Sequence, residues 1–327
     1  MKHTILLAFL ASLTCVDGIN PAAAQNWPER PVTMVVPFAA GGGTDLLGRI
    51  VAKQLSEVLG QQIVVENVGG AGGMIGSARV VKSAPDGHTM VIGTTADAIN
   101  QSLYKTPLYS FANDLVPVGL MGSQPTVLLA RKDLPATTLQ EFAAYVKANA
   151  ASVKMGSAGV GSTGHLFCEL LHAELGIHGV THVPYRGGGP AMQDLIAGRY
   201  DYLCTLGPTG KQLLEANQVK GIAILAPKRS PELPMLSSTG EQGLPNFDVS
   251  TWFGLFFPKG TPDPIVRKLN AALNQALESP WVHDRFKSIV AAAAPRDQRS
   301  PEYLKKLVDT ETAKMRAAIK AAGVEQF

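Results

Sequence analysis

Two glycine-rich stretches hold the residues whose types and spacing could do chemistry: Pro37-Phe38-Ala39-Ala40-Gly41-Gly42-Gly43-Thr44-Asp45 and Gly156-Ser157-Ala158-Gly159-Val160-Gly161-Ser162-Thr163-Gly164-His165. Each lies between an apolar run and a run of helical period, which reads as strand, tight turn and helix N-terminus. A turn of this kind aims unpaired backbone N–H groups and the positive end of a helix dipole into one space, so it binds anions. Two of them make a site that grips one anion from two sides. Thr44 can offer a hydroxyl to the anion. Asp45 is placed to cap backbone N–H groups and hold the first loop, and His165 can donate from the second.

Other readings of these residues are weaker. Gly159-Val160-Gly161-Ser162-Thr163-Gly164 fits the dinucleotide fingerprint. The ribose-binding acid expected about 20 residues on is missing, because Val183-Pro184-Tyr185-Arg186 stands there. The first loop has no Gly-Lys-Ser/Thr and is not a Walker A. Neither loop supplies the G-x-S-x-G of a hydrolase elbow. His172, His178 and His182 are not joined by H-E-x-x-H or a short-spaced Cys/His set, which argues against zinc. Arg186 reads as a solvated edge residue more than as a carboxylate clamp. No cofactor is expected.

The elements that must position the loops follow from periodicity. Val32-Thr33-Met34-Val35-Val36 is apolar on both alternating faces, as in a strand covered on both sides. Leu47, Val51, Leu55, Val58 and Leu59 then recur at helical spacing and stop at Gly60. Residues 63–66, 74–81 and 89–92 continue as strand, helix and strand. A second series begins after Gln124-Pro125, with a strand at 127–130, a helix at 139–148, the second loop and its helix. Strand-like 180–185, 202–205 and 221–225 follow. Thr251-Trp252-Phe253-Gly254-Leu255-Phe256-Phe257 leads into two amphipathic helices that complete the first unit. The fold class is α/β: two lobes, each a mainly parallel sheet flanked by helices, joined by two chain crossings. Lobe I is 25–125 with 252–327, and lobe II is 126–251.

Lys2, the apolar stretch 5–13 and Ala22-Ala23-Ala24 read as a secretory signal over 1–24, too short to span a bilayer. Its removal would leave 327 − 24 = 303 residues. Thr14 before Cys15 fits lipid attachment poorly. The expected destination is the periplasm. Two separated cysteines in a large domain are more often buried apolar residues than a framework, and the pairing of Cys168 with Cys204 stays open. The net charge of +3 is spread without a basic run, at 46% hydrophobic and 17% charged residues, which excludes a nucleic-acid stripe and suits a small anion.

Taken together, the chain resembles the periplasmic solute-binding receptors of tripartite tricarboxylate transporters, the Bug receptor family. The resemblance rests on Trp27-Pro28-Glu29-Arg30-Pro31, the first loop, Val65-Glu66-Asn67 with Gly70-Ala71-Gly72-Gly73, Ala84-Pro85-Asp86-Gly87, the second loop, Val183-Pro184-Tyr185-Arg186-Gly187, Lys228-Arg229-Ser230-Pro231 and Trp252-Phe253-Gly254-Leu255. It implies a type II-like periplasmic binding protein, a monomer and not an enzyme, that closes on a small organic carboxylate and hands it to membrane permease subunits. It also implies ligand contacts from Phe38, Gly42, Gly43, Thr44 and Asp45 on one lobe, and from Ser157, Ala158, Gly161, Ser162, Thr163 and His165 on the other. Thr205 stands where many relatives have an acid able to accept an ammonium group, so the expected ligand is an uncharged-tail or aromatic carboxylate or a dicarboxylate rather than an amino acid. Two other classes share the sequence features: a periplasmic α/β enzyme acting on a carboxylate, and a ligand sensor for a signalling partner.

Overall fold

The structure is a computed structural model that describes residues 26–326; the signal sequence over 1–24 and Cys15 lie outside the described residues. The first strand, β1 (Val32–Val36), is buried at four of its five positions. It pairs in parallel with β2 (Ile63–Asn67) on one side and β3 (Thr89–Thr94) on the other. The intervening helix Gly43–Leu59 buries Leu47, Val51 and Leu55 against this sheet and ends at Gly60, whose φ of 68° and N–H bond to the Ser56 carbonyl close the last turn. Burying one such leucine contributes about 1.5–3 kcal/mol.

The chain then enters β4 (Leu115–Arg131), which runs through both halves of the molecule. Its first part, to Pro125, pairs antiparallel with β9 (Ser250–Pro258), which in turn lies antiparallel to β3. Its last part, from Thr126, pairs antiparallel with β7 (Tyr202–Leu206) and β8 (Val219–Ile224). Beyond β7 lie β5 (Lys154–Ser157) and β6 (Thr181–Pro184), all three parallel. A short β10 (Ala292–Ala293) pairs with β4. The sheets are thus mixed: each half keeps a parallel core, β2-β1-β3 and β7-β5-β6, and the antiparallel strands β9 and β4 join them.

Each half has its own core. Met34, Leu47, Val51, Met90 and Ile92 cluster with Phe253, Leu255, Leu269 and Leu273, so the segment after β9 packs back onto the first three strands. Leu128, Phe142, Met155, Leu166, Tyr202 and Ile222 form the second core. The helix Pro301–Ala321 contributes Leu304 and Val308 beside Phe111 and Trp252 in the first half. Its later residues Met315 and Ile319 join the second core. The helix expected to complete the first lobe thus packs on both cores.

Candidate functional site

The C-terminal ends of β1, β3, β5 and β7 converge on one cavity, where α/β sheets commonly bind ligands. Its wall is formed by Phe38, Gly42, Gly43 and Thr44 after β1, Thr94 at the end of β3, Ala158, Ser162, Thr163 and Gly164 after β5, Gly188 after β6, and Cys204, Thr205 and Leu206 on β7, with Thr209 and Thr251 beyond. The space within it is about 30 Å³, room for about two water-sized groups. Helices begin at Gly43, Thr95, Thr163, Gly188 and Gly207, so five positive helix ends surround it. Among the described residues, none of the side chains lining the cavity is charged. The field inside comes from the helix dipoles, and it favours an anion.

The first loop is held from behind. Asp45, buried to 3% exposure, accepts hydrogen bonds from the Gly41 N–H at 3.0 Å, Arg49 Nε at 3.0 Å and Asn67 Nδ2 at 2.9 Å. Asn67 also donates to the Phe38 carbonyl. Burial alone would raise the Asp45 carboxyl; the bonds from Arg49, Gly41 and Asn67 outweigh it and hold the group below the usual carboxylate range. Asp45 shapes the turn, and Thr44 and the glycines form the cavity wall.

In the second loop, the Gly159 N–H donates to Ser157 Oγ at 3.0 Å, and Ser157 Oγ lies 2.7 Å from His182 Nε2. Burial, and then the neighbouring His165, push His182 down to about 4. His182 is therefore neutral at neutral pH, and its Nε2 can accept the Ser157 hydroxyl proton. The Gly161 N–H donates to His165 Nδ1, the His165 N–H donates to Ser162 Oγ, and the two imidazoles stack with centroids 4.2 Å apart. Burial also lowers the His165 pKa.

Of the candidates read from the sequence, Phe38, Gly42, Gly43, Thr44, Ala158, Ser162, Thr163 and Thr205 line the cavity. Asp45, Ser157, Gly161 and His165 stand behind the wall, in the bonds just described. Arg186 has an exposed side chain; its carbonyl accepts from the Ala39 N–H at 3.2 Å, one of the contacts that tie the halves together. Tyr104 Oη donating to the Val160 carbonyl at 3.3 Å is another. Sequence reasoning missed Thr94, Gly164, Gly188, Cys204, Leu206, Thr209 and Thr251. For Thr94 and Leu206 a signal was present, since each is the last residue of a buried strand that runs directly into a helix.

Cys168 and Cys204 form a disulfide, with Cα atoms 5.5 Å apart. The preference for reading them as separate apolar residues is thus corrected. Gly164 lets the helix Thr163–Leu175 lie directly on β7: a Cβ there would meet the Cys204 carbonyl oxygen at 2.3 Å. That close approach sets Cys168, one turn further along, beside Cys204.

A cavity between two α/β halves, walled by glycine turns and helix N-termini, defines a two-lobed solute-binding protein. The chain matches the model of the tripartite tricarboxylate transporter family receptor over residues 47–324 and belongs to that family. It is a periplasmic-type solute-binding receptor and not an enzyme. Among solved structures it is similar to the periplasmic binding protein BugD, with 38% identity and a TM-score of 0.88 over 92% of this chain and all (100%) of that one. It is also similar to MatC from Rhodopseudomonas palustris with bound malate, at 39% identity and TM-score 0.86 over 90% and 100%. R. palustris Rpa4515 with adipate is 35% identical, with TM-score 0.87 over 92% and 100%. No helix among the described residues is long and apolar enough to cross a membrane.

Proposed function

We propose that this receptor is exported through its N-terminal signal into the periplasm, captures a small organic carboxylate between its lobes as a monomer, and delivers it to the permease subunits of a tripartite transporter. The observation that carries the reading is the ring of five helix N-termini around a cavity lined by uncharged side chains. Malate and adipate in the two similar structures support the same ligand class. The lobes divide as 25–125 with 252–327, and 126–251. Supporting that division, Pro125 is the last residue of β4 paired with β9 and Thr126 is the first paired with β7. Ligand contacts come from Phe38, Gly42, Gly43, Thr44, Ala158, Ser162, Thr163 and Thr205. Asp45, Ser157, Gly161 and His165 act through the shape of the loops.

Magnitudes require both loops. Micromolar binding corresponds to about −8 kcal/mol. A hydrogen bond to a charged group contributes about 1.5–3 kcal/mol, and association costs at least about 4 kcal/mol. Two or three bonds from one loop fall short, and bonds from both suffice. Ligand binding and lobe closure are thus coupled.

The reading is tested by thermal melts of the mature protein against mono-, di- and tricarboxylates, aromatic acids, amino acids and the neutral amides of the same acids. A carboxylate at 100-fold over its Kd stabilises by about 2.7 kcal/mol, a rise in Tm of about 4 °C, while its amide leaves Tm unchanged. Equal shifts from acid and amide, or no shift from any acid in ligand-free protein, would contradict it.

A further inference from the structure

Behind the first loop lies a group of polar side chains that the carboxylate grip does not use. Gln124 and Thr126 are two residues apart on β4 and so share a face of the strand. Thr251 stands opposite Gln124 on β9, and Leu206 stands opposite Thr126 on β7. Gln124 is fully buried, and Thr126 and Thr251 are each 1% exposed. Yet both ends of the Gln124 amide, and the hydroxyls of Thr126 and Thr251, take no hydrogen bond from any described residue. The Thr209 hydroxyl, on the helix after β7, is in the same condition.

Gln124 and Thr126 lie one layer behind the cavity wall, on the sheet face that also carries Thr251 and Leu206. Thr251, Thr209 and Leu206 line the cavity itself. A Cβ added at Gly43, another lining residue, would come within 2.8 Å of both Gln124 Oε1 and the Leu206 side chain. The Gln124 amide therefore sits directly behind the turn that grips the anion. Buried polar groups in folded proteins are paired nearly without exception, so this cluster takes its partner from the cavity, an ordered water in the empty receptor or a ligand group in the loaded one. The chemistry of that ligand group follows from what the cluster offers. An amide has both a donor and an acceptor end, and so has each hydroxyl. A second carboxylate only accepts and would leave the amide oxygen unpaired; an ammonium group only donates and would leave the amide nitrogen unpaired. A hydroxyl does both. The conclusion is the same whichever way the amide is turned.

We propose that Gln124, Thr126 and Thr251, with Thr209, form a subsite for a ligand hydroxyl, so that the receptor selects hydroxy acids over their deoxy analogues. This rests on the carboxylate reading above and deepens it. Discrimination arises because a deoxy acid buries the same cluster without pairing it, the asymmetry that lets a site built for a hydroxyl reject the analogue lacking it.

The test is calorimetric titration with three matched pairs: glycolate and acetate, L-lactate and propionate, L-malate and succinate. In the wild-type protein at least one hydroxy acid binds about tenfold or more tightly than its partner. In Gln124→Leu that ratio collapses to within about twofold, while the Tm of the ligand-free protein holds or rises, because two unpaired buried groups have been removed. Thr251→Val, which exchanges one hydroxyl for a methyl, narrows the ratio in the same direction and stands in if the leucine variant does not fold. Equal affinities within every pair in the wild type, or a ratio that survives both substitutions, would overturn the subsite and leave the carboxylate reading standing. Binding of none of the six acids would overturn the subsite, and the carboxylate reading would then be decided by the wider panel of thermal melts.

Discussion

Gly72→Ala is expected to remove tight ligand binding from a protein that still folds. Gly72 sits in the first half of the molecule at a φ of 60°. A Cβ there would lie 2.4 Å from the Val160 carbonyl oxygen, 2.5 Å from the Gly161 carbonyl carbon and 2.7 Å from the Ser162 nitrogen. All three are backbone atoms of the second loop, so no rotamer change relieves the overlap, and the loops must separate by about 1 Å to reach ordinary contact. In an open molecule the substitution costs only the left-handed backbone penalty, about 1–2 kcal/mol. In the closed molecule it displaces the second loop from the ligand. Loss of two charged hydrogen bonds at about 1.5–3 kcal/mol each is a drop of about 100-fold or more in affinity. Gly60→Ala is the control: φ is 68° and nothing lies within 4 Å of the added methyl, so it carries the backbone penalty without the clash. Titration calorimetry beside thermal melts separates the two. Affinity of Gly72→Ala within about threefold of wild type would mean that binding does not need the closed contact.

The second large effect is on stability. The Cys168–Cys204 disulfide links residues 36 apart and encloses β6 and the helix Gly188–Ile196. Loop-closure entropy for that span gives about 3–4 kcal/mol. Reduction, or the double substitution Cys168→Ala with Cys204→Ala, is expected to lower Tm by about 6 °C. Because Cys204 lines the cavity and Cys168 lies in the helix that the second loop opens, ligand protection is expected to weaken in parallel. Melts with and without reductant, alongside a thiol assay of the mature protein, measure this directly. A Tm indifferent to reductant, in protein with no reactive thiols before treatment and two after it, would contradict a stabilising role.

How far the sequence disclosed these features depended on how local their causes are. The run 32–36, the loop 37–45 and the helix after it were legible because one periodic pattern passes into another across a glycine turn. The Asp45 brace was legible for the same reason, since its partner Gly41 is four residues away. What was hidden depends on long-range register. Thr251 reaches the cavity because β9 pairs with β4 in a register that sets it opposite Gln124, and neither run specifies that alignment. Most of β4 escaped too: Pro117, Gly119, Gly122 and Pro125 break its alternation, and only 127–130 read as strand, whereas the strand covers Leu115–Arg131. Ser157 was expected as a ligand contact from the family resemblance, and His165 from the resemblance and from its place in the loop. The bonds they make in the structure, with His182 and from the Gly161 N–H, follow from β5–β6 pairing and from the curl of the turn, which the sequence does not specify. The disulfide depended on a helix packing against a strand through Gly164, a contact that spacing alone does not encode.

Whether two loops, one from each lobe, hold the same carboxylate is measured by the affinity of Thr44→Ala and Ser162→Ala for the acid that gives the largest thermal shift. Both side chains line the cavity, from opposite halves. Ser162 also caps its helix through the His165 N–H, a bond whose loss costs about 1 kcal/mol of stability, so the Tm of each free variant is read beside its Kd. Each substitution is expected to weaken binding by about tenfold to 100-fold with the fold retained. Wild-type affinity in both variants would contradict the two-loop site.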